Sequence, residues 1–404
     1  MNQISARHGE ASSPIFGKSP IGSKKTTPCA RRAKRTALIL SLAYAGAAQA
    51  ELLKFETRPN GADEAVSATG KLSGESYEIL GTLSKPAQPP NGGVKSILIE
   101  TQPSENVKPL ALERGLAVLT LDFAKLAAEA KEPVLRDILG HLRGALKMKR
   151  ILGRAQGTDA DAMSGAGSAF DGLLLHDASR EPAAPTRFIA TWNADAYWGE
   201  KPRIEFAANA PPNGRRFYLA GIASSTSAPN CAAPIDARAF APAQRALFVA
   251  LDEWTAKGVA PPGSRAPLDG DLTPAQELKW PKVPALPPPP EGVRRVPKID
   301  ADGNELAGLR MPDLAMPVAT FAGFNAQKDK KGPRCAAGAA IPFAATRTDR
   351  EKTGDQRPSL VERYGSRAYF VATMRVVADK LVKDRLLLQK DADAYVAAAR
   401  SAPF

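Results

Sequence analysis

Histidine is scarce in this chain, which has three of them in 404 residues and none after His176. Histidine is the side chain whose ordinary pKa lies closest to neutral pH, and it is therefore the commonest general base in enzymes. Its absence from residues 177–404 excludes a histidine general base from more than half of the chain. It also argues against a zinc site, because His141 and His176 are far along the sequence from Cys231 and Cys335.

Cysteine is also rare, so the chain is not a small disulfide-rich scaffold. Cys29 lies in the N-terminal segment described next, which leaves Cys231 and Cys335. An even pair in an exported protein predicts a disulfide, and two unpaired buried thiols are the alternative. The choice depends on whether the two Cα atoms approach to within about 7 Å.

The N-terminal segment has the three parts of an export signal, which we predict over residues 1–50. Four basic side chains precede an apolar run over residues 37–47, which ends in Ala48-Gln49-Ala50. The run is too short to cross roughly 30 Å of hydrocarbon as a helix, although an uncleaved membrane anchor is the alternative. We therefore expect a periplasmic or secreted protein with no stable membrane span after cleavage. The basic residues are Arg31, Arg32, Lys34 and Arg35.

The positive charge of the chain is concentrated in this segment. Residues 1–36 hold eight basic residues and one acidic residue, so a net charge of +13 falls to about +6 for the remainder. No basic stripe interleaved with aromatic residues follows. The composition therefore predicts no nucleic-acid partner.

The remaining residues predict a single α/β domain over 51–404. Short buried strands alternate with helical segments, which indicates a mostly parallel sheet covered on both faces. A proline-rich stretch over residues 281–290 reads as a stiff connector rather than as a domain boundary. Strands are predicted near 52–57, 77–83, 96–100, 116–123, 151–153, 170–175, 187–192 and 216–221, and helices over 109–115, 124–148, 242–257 and 367–400.

Four separated blocks stand out in the second half of the sequence, with weaker landmarks at 170–172 and 196–199. The blocks cover 245–265, 296–308, 341–344 and 357–366. Together they resemble the bacterial alpha/beta hydrolase domain family. The resemblance implies an α/β-hydrolase fold with a family-specific C-terminal extension from about residue 280. It also implies esterase-like hydrolysis by a serine, an acid and a histidine, in that order.

The family's catalytic serine falls at Ala155 in this chain. A nucleophile elbow needs small residues on either side of the nucleophile, and the stretch from Gly153 to Gly157 fits that pattern. The methyl group of Ala155 has no lone pair with which to attack a carbonyl. The backbone N–H of Gln156 would still be available to hold an oxyanion.

The acid and histidine positions are also altered. The acidic residue that directly precedes Tyr-Trp in the family is Ala196 here. Asp195, one position away, is a candidate substitute, and a solvated loop aspartate is the favoured alternative. The family's histidine aligns with Ser224, whose hydroxyl cannot carry a proton as a cation at neutral pH. Ser164 and His176 are candidate substitutes elsewhere in the chain. The alternative for Ser164 is a residue of a flexible polar loop, and the alternative for His176 is a structural role at the end of a strand.

Two functions follow from these residues. The first is a catalytically silent hydrolase relative that binds a small ester-like molecule and needs no metal or cofactor. The second is an active carboxylic-ester hydrolase that uses a non-standard site near Ser164 and His176. Since function depends on the site and not on the fold, the arrangement of these side chains decides between the two.

Overall fold

The computed structural model describes residues 50–199, 209–283, 285–292, 295–329 and 335–404. The predicted export signal lies outside the described residues except for Ala50, with which the first strand begins. No helix in the described part of the chain is both long and apolar enough to cross a membrane.

A nine-stranded sheet forms the centre of the fold, in the order β1-β2-β3-β5-β4-β6-β7-β8-β9. Strands β1 to β3 are joined by antiparallel pairing, β3 also pairs antiparallel with β5, and all pairs from β5 to β9 are parallel. The strands are β1 (Ala50–Asn60), β2 (Asp63–Leu72), β3 (Glu75–Ser84), β4 (Ser96–Glu100), β5 (Ala117–Leu121), β6 (Arg150–Gln156), β7 (Gly172–His176), β8 (Arg187–Trp192) and β9 (Gly214–Tyr218).

Two small antiparallel ribbons follow in the C-terminal extension, with one pairing β10 with β11 and the other pairing β12 with β13. Their strands are β10 (Leu272–Pro274), β11 (Arg295–Pro297), β12 (Ala319–Ala322) and β13 (Ala339–Pro342). The helices are α1 (Lys108–Glu113), α2 (Ala128–Gly144), α3 (Thr158–Gly165), α4 (Asp195–Trp198), α5 (Ala241–Lys257), α6 (Pro312–Ala315), α7 (Arg347–Thr353), α8 (Leu360–Tyr364), α9 (Arg367–Lys383) and α10 (Gln389–Ala399).

Helices cover both faces of the sheet, as the sequence predicts. Ile97 and Ile99 of β4 pack into the core on the side of α2 and α3, whereas Leu98 packs on the side of α1 and α5. Successive residues of a strand point to opposite faces, so a strand covered on both sides must be apolar throughout. This explains why the parallel strands read as continuous runs of apolar residues.

Helix α5 shows why local sequence fixes a boundary. Pro242 lies in its first turn, where a missing N–H breaks no hydrogen bond. Gly258 ends the helix in the left-handed conformation, with φ of 74°, and its N–H donates to the carbonyl of Trp254. The prediction of a helix over 242–257 is therefore confirmed to within one residue.

Candidate functional site

A sharp turn follows β6 at the carboxyl end of the parallel strands, and Gly157 is its central residue. Gly157 has φ of 59° and ψ of −131°, a backbone conformation that is sparsely populated except by glycine. The strand ends at Gln156 and α3 begins at Thr158. A single residue thus reverses the chain direction between strand and helix, which is the geometry of a nucleophile elbow.

The turn lies two residues after the position predicted for it. Ala155 is inside β6, opposite Leu175 of β7, and its methyl group is buried in the core. The strand continues because Gln156 still pairs with His176 of the neighbouring strand. The assignment of Ala155 to the turn is therefore wrong, and Gly157 has that position.

The predicted oxyanion donor moves with the turn. Gln156 belongs to the β6 ladder and precedes the turn, whereas Thr158 is the first residue of α3. The first N–H groups of a helix have no partner within the helix, and they favour negative charge. The backbone N–H that directly follows the turn residue is therefore that of Thr158 and not that of Gln156.

Asp195, the candidate substitute for the acid, and Ser224, at the family's histidine position, are brought together. Asp195 begins α4 just after β8, and Ser224 lies in the loop after β9. The backbone N–H of Ser224 donates to Asp195 Oδ2 at 2.9 Å. Asp195 is held in turn by Asn193, whose Oδ1 accepts from the Asp195 N–H at 3.0 Å. Ala196 is buried in the core and takes no part in this contact.

His176 ends β7 and is buried beside the turn. Its Nδ1 lies 2.9 Å from Thr191 Oγ1, and that hydroxyl donates to the Leu175 carbonyl at 3.1 Å. Its Nε2 lies 3.4 Å from Asp177 Oδ2. The ring stacks on Phe240 with centroids 4.7 Å apart. The hydroxyl of Thr191 donates to the Leu175 carbonyl, so it can accept a hydrogen bond from Nδ1–H of His176.

Burial lowers the pKa of His176. The positive charge of Arg154 lowers it further, while the carboxylates of Asp177 and Asp195 oppose the shift. The imidazole is accordingly neutral at pH 7. It has the protonation state of a base, but the hydroxyl that contacts it, that of Thr191, is buried and donates to the Leu175 carbonyl.

A cavity of about 170 Å³ gathers these residues. It includes the turn residue Gly157 together with His176 and Ser224, whereas Asp195 reaches it only through its bond to Ser224.

Ser164 does not line this cavity. Ser164 lies in α3, where its hydroxyl donates to the Arg180 carbonyl at 3.0 Å. The structure therefore does not combine Ser164 and His176 into one site. The lining residues are Gln156, Gly157, His176, Asp177, Asn193, Ser224 and Phe240.

A larger cavity of about 670 Å³ lies on the other side of Gln156, which lines both. Its walls come from β3, the end of β5, the loop after β4 and the start of α3. Many of its side chains are neutral hydroxyls and amides, including Thr82, Thr101, Thr120, Thr158, Gln102 and Gln156. Its one lysine, Lys131, forms a 2.6 Å ion pair with Asp159. Sequence reasoning missed this cavity because strands distant in sequence build it.

An ion pair lies under this edge of the sheet. Glu100 at the end of β4 is fully buried, with its Oε1 3.5 Å from Nη1 of Arg154. Burial raises the pKa of Glu100 to about 7, and Arg154 opposes the shift. Burial also lowers the pKa of Arg154. The sequence offered no signal for this pair, because the two residues are opposite each other only through the pairing of β4 with β6.

The C-terminal extension holds the loop that carries Ser224. Glu305 is buried and accepts three hydrogen bonds, from Trp198 Nε1 at 2.7 Å, Tyr218 Oη at 3.0 Å and the Gly221 N–H at 2.7 Å. Burial raises the pKa of Glu305, and these three donors oppose the shift. The extension thus holds both Tyr218, which ends the strand before Ser224, and Gly221 in the loop that carries Ser224.

A disulfide joins Cys231 to Cys335, with Cα atoms 5.4 Å apart. It links the segment after the Ser224 loop to the extension, 104 residues further along the chain. The predicted bridge is therefore present. Among the described residues, no group of three or more His, Cys, Asp or Glu side chains is arranged to hold a metal ion.

Residues 203–397 match the model of a family described as "Alpha/beta hydrolase domain". No curated protein matches the chain. Among solved structures, Candida antarctica lipase A in its closed state is similar at 12% identity and a TM-score of 0.24, over 31% of this chain and 41% of the lipase.

Two further structures are similar over larger shares of their own length. A cold-adapted esterase from an Arctic intertidal metagenomic library has 10% identity and a TM-score of 0.28, over 35% of this chain and 76% of the esterase. An alpha-beta serine hydrolase homologue from Coxiella burnetii has 10% identity and a TM-score of 0.27, over 42% of this chain and 88% of that protein.

Proposed function

We propose that this chain, which belongs to the alpha/beta hydrolase domain family, is a catalytically silent member that binds a small ester-like molecule. The observation that carries the proposal is the turn after β6, where Gly157 has φ of 59° and ψ of −131°. A nucleophile elbow needs a hydroxyl or thiol at this residue. Glycine supplies neither.

The base position supports the same conclusion. The backbone N–H of Ser224 lies 2.9 Å from Oδ2 of Asp195. A histidine at residue 224 would be oriented by that carboxylate. A serine hydroxyl cannot take up a proton from a nucleophile at neutral pH and later return it. Asp195 is therefore present without the histidine that it would orient and without the nucleophile that this histidine would activate.

Binding does not require the lost groups. The N–H of Thr158 lies at the N-terminus of α3 and can still donate to a carbonyl oxygen. The 670 Å³ cavity that begins at Gln156 and Thr158 is within the size range of small-molecule sites. A ligand with a carbonyl at Thr158 and its bulk in this cavity would be held without being cleaved.

The alternative, an active hydrolase near Ser164 and His176, has less support. The Ser164 hydroxyl is committed to the Arg180 carbonyl at 3.0 Å, and Ser164 does not line the cavity that includes His176. A serine must lie within hydrogen-bond reach of its base, about 2.6–3.2 Å, to be activated. His176 contacts Thr191 and Asp177 instead.

Export is part of the proposal. The Cys231–Cys335 bridge supports it, because disulfides persist in oxidising compartments and are rare in the cytosol. The leader-like segment over residues 1–50 supports it independently. Cell fractionation followed by sequencing of the N-terminus tests this part, and a cytosolic protein that retains residues 1–50 would contradict it.

The function itself is tested with short-chain p-nitrophenyl esters and the purified protein. We expect no turnover above the rate in buffer, and no further change on Ser164→Ala or His176→Ala. Turnover that either substitution abolishes would instead identify a working site there and overturn the proposal.

Binding is tested by calorimetric titration with p-nitrophenyl butyrate. Gln102 is an exposed residue on the wall of the larger cavity, so Gln102→Trp should block binding. Glu105 is exposed in the same loop and does not line the cavity, so Glu105→Trp is the matched control. Equal loss in both variants, or no binding to the wild-type protein, would contradict a ligand in this cavity.

A further inference from the structure

A third cavity lies at the opposite end of the sheet from the candidate site. Its volume is about 260 Å³, and it is lined by Ile97 and Ala117 at the starts of β4 and β5. Phe55 of β1 and Leu142 of α2 cover it. The candidate site lies where the parallel strands end, so this cavity lies where they begin.

The lining is apolar apart from one residue. Nine of its ten side chains are aliphatic, aromatic or methionine, and the tenth is Lys85. Protein interiors are packed about as densely as organic crystals, so a space of this size between apolar side chains is unusual. An apolar cavity does not hold ordered water, because water needs polar partners. The cavity therefore matches an aliphatic ligand.

The mouth of the cavity is open and basic. Leu146 is 40% exposed, and the side chain of Lys85 is 56% exposed. Lys147 and Lys149 flank the lining residue Met148, and both are exposed.

Two more contacts define the charge at this mouth. Lys95, which is exposed and follows the lining residue Val94, accepts at its carbonyl from the Lys149 N–H at 2.8 Å, so these two lysines are neighbours. The one acidic group in contact with Lys85 is Glu64, which forms an ion pair with it. Lys85 is thus the lining residue that can meet an anionic group, and Lys95, Lys147 and Lys149 add positive charge on the segments that carry the lining residues Val94 and Met148.

We propose that this cavity binds a medium-chain aliphatic carboxylate. Its hydrocarbon chain would lie between β1, β4, β5 and α2, and its carboxylate would lie at the mouth beside Lys85. Lys85 has three donors, so it can contact this carboxylate while keeping its bond to Glu64. The proposal is independent of the candidate site, because this cavity shares no lining residue with the 170 Å³ and 670 Å³ cavities there.

Calorimetric titration of the purified protein with decanoate, octanoate and decan-1-ol tests this proposal. Each buried methylene contributes about fourfold in affinity, so decanoate should bind on the order of tenfold more tightly than octanoate. Lys85→Gln should weaken decanoate binding about two- to fivefold and leave decan-1-ol unchanged. Lys71, an exposed lysine on β2 whose sequence neighbours do not line the cavity, is the control, and Lys71→Gln should change neither.

A second pair of variants tests the location. Leu146→Glu places a carboxylate at the mouth and should abolish decanoate binding, whereas Leu53→Glu, at a 58% exposed position outside the cavity, should not. Circular dichroism checks that both variants fold. Absence of decanoate binding, equal affinity for octanoate and decanoate, or equal loss in the Leu146 and Leu53 variants would each overturn the proposal.

Discussion

The backbone N–H of Ser224 donates a 2.9 Å hydrogen bond to the carboxylate of Asp195. This bond joins the loops that follow β8 and β9, and the same 170 Å³ cavity that includes Ser224 also includes Gly157. Gly157 and Ser224 thus share one cavity, and Asp195 is joined to it through Ser224. Under the proposed function, these three residues occupy the nucleophile, base and acid positions of a hydrolytic triad. The predictions below test that relationship and the contacts that maintain it.

Gly157→Ala should lower the free energy of unfolding by about 1–3 kcal/mol, because a residue with a Cβ is strained in this conformation. A Cβ at Gly157 meets no atom within 4 Å, so the cost comes from the backbone alone. Gly258→Ala is the control, since Gly258 is in the ordinary left-handed region with open space around it and should cost about 1 kcal/mol. Urea denaturation measures both. A smaller loss at Gly157 than at Gly258 would argue against a strained turn.

Glu305→Leu should destabilise the protein by about 3–5 kcal/mol, because it leaves the donors of Trp198, Tyr218 and Gly221 buried without an acceptor. Glu291→Leu, at an exposed position in the same extension, should change the free energy of unfolding by less than about 0.5 kcal/mol. Thermal and urea unfolding compare the two. Similar effects in both variants would show that Glu305 does not anchor the Ser224 loop.

Glu100 should make the folded protein less stable as the pH rises. Its pKa is raised to about 7 in the folded state, so between pH 4.5 and 7 the folded state holds a proton that the unfolded state has lost. The free energy of unfolding attributable to Glu100 therefore falls by up to about 3 kcal/mol across this window. Glu100→Gln should remove this fall.

The comparison isolates Glu100 because the other groups whose pKa values are shifted, Glu305 and Asp313 among them, are present in both proteins. The lowered pKa of His176 has the opposite sign, since it makes stability rise with pH, and it is present in both proteins. Urea denaturation at several pH values between 4.5 and 7 gives the difference. Parallel pH profiles for the two proteins would contradict a buried, protonated Glu100.

Loss of the disulfide should cost about 3–5 kcal/mol, because the bridge closes a loop of 104 residues and restricts the unfolded chain. Cys231→Ser combined with Cys335→Ser removes it, and a reducing agent should lower the melting temperature of the wild-type protein alone. An equal effect of the reducing agent on the double variant would show that the bridge is not the cause.

The sequence predicts the bounds of strands and helices well where their apolar patterns are long. Strand β4 has the predicted bounds, 96–100, and β5, β7, β8 and α5 lie within or close to theirs. The resemblance places the family's acid at Ala196, and the structure brings Asp195, one position away, into contact with the backbone N–H of Ser224. These features depend on local patterns or on the family's order of elements.

Other features depend on tertiary pairing, and the sequence does not reveal them. The turn falls at Gly157 rather than Ala155 because the pairing with β7 extends β6 through Gln156. Both residues are small, so the elbow pattern alone cannot choose between them. Strand β2 was missed, and so was the pairing of Glu100 with Arg154, because each depends on a neighbouring strand.

The most direct measurement of the central claim is ester hydrolysis by a protein in which the triad is restored. Gly157→Ser combined with Ser224→His places a hydroxyl at the turn and an imidazole beside Asp195. The control combines Ala155→Ser with Ser224→His, which places the same hydroxyl at a buried position inside β6. We expect p-nitrophenyl acetate turnover at least about tenfold above the wild type for the Gly157 variant and none for the control. Turnover by the wild-type protein itself, or restoration through Ala155 and not through Gly157, would contradict the account.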